Sequence, residues 1–140
     1  MLGAAEQLSA AGFAVDAVQS RAFVNGLDRV LQLSAEGLLG DVVVVHLGTN
    51  GRIAGDQLAA MMQTLAPVRR VIVLTVRADR SWVPGNNERI RALPGQYPNV
   101  VVVDWEQLSR SCPGSCFYDD GIHLRPDGRR FYAEQVVAAS

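Results

Sequence analysis

Three short runs of this chain are dominated by β-branched side chains: Asp41 to Leu47, Arg70 to Val76, and Asn99 to Trp105. Apolar runs of this length, without polar alternation, are the pattern of parallel strands buried on both faces. A weaker fourth run, Ala14 to Val18, also reads as a strand. Between these runs, helix-patterned stretches cover Leu2 to Ala11, Gly26 to Glu36, Asp56 to Leu65, Asn87 to Leu93 and Pro126 to Ala139. The order α-β-α-β-α-β-α-β-α predicts an α/β fold, a three-layer α/β/α sandwich around a parallel sheet with right-handed crossovers. A doubly wound fold normally opens on a strand, whereas this chain opens on an amphipathic helix, so a strand is expected to be missing in front. Polar loops follow the carboxyl ends of the strands at Gly48 to Gly51, Arg77 to Asn87 and Ser109 to Arg125, and that edge is where open α/β sheets bind ligands.

Length and composition narrow the field. With 140 residues and 49% of them apolar, the chain is expected to be a single domain, residues 1–140, with a real core. A net charge of −1 gives no field that favours nucleic acid or an anionic membrane surface. All 13 basic residues are Arg, which excludes a Schiff-base lysine, a P-loop lysine and a Ser-Lys dyad. No apolar run approaches the roughly 18 residues that span a bilayer, and Met1-Leu2-Gly3 lacks the layout of a signal peptide, so the chain is expected to be soluble. Cys112 and Cys116 are spaced either for a small disulfide loop or for two free thiols. Only His123 and nearby carboxylates could join them around zinc, so no metal is expected, and no cofactor is implied.

Two loops carry candidate chemistry. Asp120-Gly121-Ile122-His123 lies just before the helix opened by Pro126. An Asp three residues before a His on a tight loop can accept a hydrogen bond from Nδ1–H, which fixes the tautomer and leaves Nε2 free to take a hydroxyl proton. The competing reading makes Asp119 and Asp120 turn formers and His123 incidental. Gly48-Thr49-Asn50-Gly51 follows the first strong strand, where an amide can donate to a developing oxyanion. Here the competing reading is a plain strand-to-helix turn.

Together these motifs resemble blocks III and V of the SGNH family of serine esterases and acyltransferases, Gly-x-Asn and Asp-x-x-His. Within that family the chain is similar to the SGNH domains of bacterial membrane O-acyltransferases. The matching residues occur in register: Val45 to Gly51, Arg80-Ser81-Trp82 with Asn86-Asn87, Asp104-Trp105, and Asp120 to Leu124. The resemblance implies a flavodoxin-like SGNH fold. It makes His123 the general base, Asp120 its orienting acid, and Asn50 with Gly48 oxyanion donors. Block II of the family supplies another backbone N–H, and its counterpart here is Ser20. Block I, the Gly-Asp-Ser that carries the nucleophile, does not occur among the 140 residues. In these domains Gly-Asp-Ser-Val runs into Met-Leu-Gly-Ala-Ala, which matches Met1 to Ala5. The expectation is therefore an N-terminally truncated SGNH domain, without its central first strand and inactive because the nucleophile precedes Met1.

Ser20 itself, between a strand and a helix, is a weaker candidate nucleophile, and the other serines read as surface or loop residues. Arg80 and Trp82 are candidate substrate contacts, for a carboxylate and a sugar face respectively, although each also reads as ordinary loop structure. Asn86 or Asn87 suits either a helix cap or substrate contact. His46, within a strand, reads as a satisfied core histidine. The function implied is transfer of an acyl group, expected to be acetyl, to a cell-envelope glycan hydroxyl or to water by a Ser-His-Asp mechanism. The partners implied are an acyl-ester or glycan substrate and a membrane acyltransferase unit of the same parent protein, outside the cytoplasmic membrane. The alternative is a non-catalytic glycan-binding domain that uses the same cleft.

Overall fold

Two runs of four consecutive valines and one Arg-Val-Ile-Val-Leu segment form the sheet. A computed structural model describes all 140 residues. In it β1 (Val42–Val45), β2 (Arg70–Leu74) and β3 (Val100–Val103) lie in the order β1-β2-β3, all parallel. Val42 pairs with Arg70 and Val71 with Val100. β-branched side chains suit such strands because restricted χ1 costs little on a pleated surface, but only the central β2 is buried on both faces; β3 lies at the edge and leaves Val101 exposed.

The alternation along β2 divides the core. Val71 and Val73 face one cluster, packed with Phe23, Leu27, Leu58 and Met61 from α2 (Phe23–Ala35) and α3 (Gly55–Thr64). Ile72 and Leu74 face the other, packed with Leu8, Trp105, Tyr132 and Val136. These come from α1 (Ala5–Ala10), α5 (Trp105–Leu108) and α6 (Pro126–Ala139). Helices thus cover both faces, as the α/β/α sandwich requires, and α4 (Val83–Arg91) adds Ile90 to the first cluster.

Three expectations change. Ala14 to Val18 is not a strand: it runs as irregular chain beside a sheet in which β1 pairs only with β2. A segment without a neighbour to share a hydrogen-bond ladder does not become a strand. Its two-residue alternation still acts, since Phe13 and Val15 pack onto the second cluster while Asp16 reaches out to Arg21 and Arg29 at 2.6 and 2.5 Å. The helix expected at Asn87 starts at Val83, with Pro84 in its first turn, where a missing N–H costs nothing. The third strand stops at Val103, because Asp104 caps a short helix through its carboxylate and Gln107 N–H.

Candidate active site

The loop after β1 is built by long-range bonds. Gly48 has φ 112°, a conformation that favours glycine, and a side chain there would meet Ile53 Cδ1 at 3.0 Å and Asn86 Nδ2 at 3.1 Å. Asn86, buried in α4, uses its whole amide on this loop. Its Nδ2 donates to the carbonyls of Gly48 and Gly51 at 3.0 and 2.9 Å, and its Oδ1 accepts from Ile53 N–H at 2.8 Å. Asn50 stands exposed at the tip of the turn so fixed. Asn87 does the same for the end of β2: its Oδ1 accepts from Val76 N–H at 2.7 Å, and its Nδ2 donates to Val76 carbonyl at 2.8 Å. These two asparagines are inside the helix, so neither caps it; both are buried with their amides committed to backbone, and Asn87 Nδ2 donates to Glu106 Oε2 as well, at 3.1 Å.

The Asp120–His123 loop is built locally. Asp120 Oδ1 accepts from the N–H groups of Ile122 and His123, both at 2.9 Å, an Asx turn that folds the loop back on its own carboxylate. The other oxygen, Oδ2, lies 2.6 Å from His123 Nδ1. The hydrogen bond from His123, followed by the two backbone N–H groups, holds the Asp120 carboxyl down at about 2. At neutral pH the carboxylate is charged, the Nδ1–H tautomer is favoured, and His123 Nε2 is left as an acceptor. His123 is largely exposed. At the root of the loop, Cys112 and Cys116 are joined in a disulfide, which resolves the two readings of their spacing.

Both loops emerge at the carboxyl edge of the sheet, one directly after β1 and the other tied by Gly121 carbonyl to Arg77, just beyond the neighbouring β2. Ser20 sits in an exposed turn with φ 57°, ahead of α2. Close contact of Gly26 with Leu47, which a side chain at Gly26 would overlap, brings the start of α2 to that edge as well. No serine hydroxyl of the chain hydrogen-bonds to His123; Ser109 and Ser111 donate instead to the carbonyls of Glu106 and Leu108. Arg80 is exposed, with its guanidinium on the Asp79 carbonyl at 2.8 Å. Trp82 is half-buried, and its indole N–H is buried without a partner.

His46 is half-buried beside the second core cluster, with only one ring nitrogen paired. Its Nδ1 pairs with Tyr132 Oη at 2.9 Å, the rings stack, and Nε2 is buried without a partner. Burial holds its pKa down at about 3, so it is neutral at physiological pH. No group of His, Cys, Asp and Glu is placed to hold a metal ion. The residues missed by sequence reasoning are Arg77 and the bracing role of Asn86 and Asn87. Their partners are 11 to 44 positions away, so no local spacing signals them.

No family model matches the chain. It is 34% identical over 96 residues to the peptidoglycan O-acetyltransferase OatA of Listeria monocytogenes, covering 69% of this chain and 15% of that protein. It is 32% identical over 98 residues to the O-acetyltransferase OatA of Staphylococcus aureus, covering 70% of this chain and 16% of that one. The chain therefore spans only about a sixth of these relatives' length. Its fold is similar to the C-terminal catalytic domain of Streptococcus pneumoniae peptidoglycan O-acetyltransferase A, solved with a methylsulfonyl adduct. That match has a TM-score of 0.83 and 22% identity, and it covers 99% of this chain and 86% of that domain.

Proposed function

The chain belongs to the SGNH family of serine esterases and acyltransferases, and from that premise we propose that it is the acyl-transfer part of a peptidoglycan O-acetyltransferase. The observation that carries this reading is the Asp120 Oδ2–His123 Nδ1 contact of 2.6 Å, with Nε2 left without a partner. A serine hydroxyl held about 3 Å from Nε2 would lose its proton to His123 as its oxygen attacked the acyl carbonyl. The resulting oxyanion would be met by the Asn50 amide and by backbone N–H groups at Gly48 and Ser20. Collapse expels the donor's alkoxide, which takes the proton from His123 and leaves an acyl-serine. A glycan hydroxyl, deprotonated by the same Nε2, then attacks that ester. Its products are the acetylated glycan and the free serine.

The nucleophile of this scheme is not among the 140 residues, since no Gly-Asp-Ser occurs in them and no serine reaches His123. In this reading the serine is supplied by a block I segment outside these 140 residues, which by themselves would form no acyl-serine. No helix is long and apolar enough to cross a membrane. The domain acts outside the membrane, carried by a larger acyltransferase, with Arg80 and Trp82 flanking the acceptor. The test is fluorophosphonate labelling. The 140-residue chain is expected to stay unlabelled, and a form carrying block I is expected to label on that serine. An adduct mapped to Ser20 in the 140-residue chain would overturn this assignment.

A further inference from the structure

We infer that Arg77 is the positioning residue that holds the Asp120–His123 loop against the sheet. Arg77 follows β2 directly, and its root is fixed because both backbone polar groups of Val76 are taken by the Asn87 amide. One residue further back, the Thr75 hydroxyl donates to Asp104 Oδ1 and accepts from Glu106 N–H, each at 2.9 Å. From this rigid base the guanidinium reaches three groups. Its Nε donates to Gly121 carbonyl at 3.0 Å, Nη1 donates to Ser109 Oγ at 3.3 Å, and the plane lies 4.3 Å from the centre of the Phe117 ring. Phe117 in turn packs on Trp105, a member of the second core cluster.

Residues 117–123 hold their shape through bonds among themselves and with Arg125, whose Nε donates to Phe117 carbonyl. The bond from Arg77 to Gly121 is their one hydrogen bond to the sheet scaffold. Local bonds outline the loop, while this tether and the Phe117 stack hold both its placement over the sheet and the Gly121 carbonyl between the two members of the pair. Arg77 is half-buried and makes no salt bridge with a carboxylate, so its donors serve a carbonyl, a hydroxyl and a ring face. A planar fork that can donate and stack at once is the property that separates Arg from Lys. Gly121 lies between Asp120 and His123, so a shift of its carbonyl alters the geometry of the pair itself.

This inference rests on the reading of Asp120 and His123 as the acid–base pair, and its test is independent of turnover. In the 140-residue chain, NMR would follow the His123 Nδ1–H proton and the Asp120 carboxyl carbon through an acid titration. In Arg77→Ala the Nδ1–H signal is expected to broaden by exchange with water, and the Asp120 midpoint to rise from about 2 toward the ordinary carboxylate range. Arg77→Lys should restore part of both. Arg77→Met keeps bulk over Phe117 without the donor; it should fold even where the alanine variant does not, and show the same two changes. In the full-length acyltransferase the methionine variant should lose about 10–100-fold in kcat at nearly unchanged KM. A folded Arg77→Met chain with an unchanged Nδ1–H signal and Asp120 midpoint would overturn the inference. Retained activity in full-length His123→Ala would overturn the catalytic reading while leaving the loop measurements valid.

Discussion

The two halves of the candidate site are held in opposite ways. The Asn50 turn has little structure of its own: its carbonyls and the Ile53 N–H are gathered by one buried amide from a helix 33 to 38 residues away. The Asp120–His123 loop is nearly self-contained, with an Asx turn, a carboxylate–imidazole contact and a disulfide at its root. The difference follows from the work proposed for each half. An oxyanion donor must be placed in advance against a fixed point, because its value lies in avoiding reorganisation, whereas an acid–base pair needs first a correct mutual geometry.

The largest expected effect tests the chemistry of the two halves directly. In a form that carries the nucleophile, His123→Ala should lower kcat by about 10²–10⁴-fold, the usual worth of the general-base role proposed for it. Asn50→Ala should lower kcat by about 10²–10³-fold with KM nearly unchanged, since the oxyanion-donor role proposed for it acts on charge that develops in the transition state. Steady-state kinetics separates them. A KM effect at Asn50 with intact turnover would make that residue a substrate contact, and the comparison would fail.

Next in size is the dependence of the Asn50 turn on its distant brace. Asn86→Asp removes the two donors to Gly48 and Gly51 and faces their carbonyls with an oxygen, so it should cost about 2–4 kcal/mol in urea unfolding. Amide exchange at Ile53 should accelerate as well. A substitution that leaves stability and Ile53 exchange unchanged would show that the turn holds itself, like its counterpart.

Acid should loosen the two halves in sequence. His46 follows β1 at the root of the Asn50 turn, and its folded pKa of about 3 lies below the ordinary imidazole value of about 6.5. The unfolded chain binds the extra proton between these values, so stability falls as pH drops from 6.5 toward 3. His46→Gln should flatten that dependence in urea melts collected across the range, and His46→Ala should lower stability more than activity. The Asp120 contribution is smaller, because the pair is exposed. Its carboxyl titrates at about 2, below the ordinary value, so its contribution is intact above about 4 and is lost as pH falls through 2. The Ile122 and His123 amides should then exchange faster, with no change in the rest of the chain. The reverse order of failure would contradict the contrast between the halves.

The same contrast explains what was legible in the sequence. Asp120 and His123 interact across three positions, so their partnership could be read from spacing, as could the valine runs of the sheet and most of the helices. The Asn86 brace depends on packing α4 beside the β1 loop, and Arg77 depends on where the last loop lands over β2. Both are tertiary facts with no local period. Ala14 to Val18 shows the converse failure, because its alternation is real but strand formation requires a neighbour, and no pattern within five residues reports one.

The parallel register of the sheet has a kinetic side. Val42 meets Arg70 and Val71 meets Val100, so each pairing closes a crossover of nearly thirty residues and no hairpin is available as a first step. Such non-local contacts charge their loop entropy before any ladder bond forms, which slows folding relative to helical or hairpin topologies. The short Asx turn at Asp120 can form and dissolve on its own throughout that search. A chain refolding from urea should therefore recover the local Asx turn at Asp120 well before the Ile53 amide gains protection, and pulse-labelled exchange during refolding would time the two events separately.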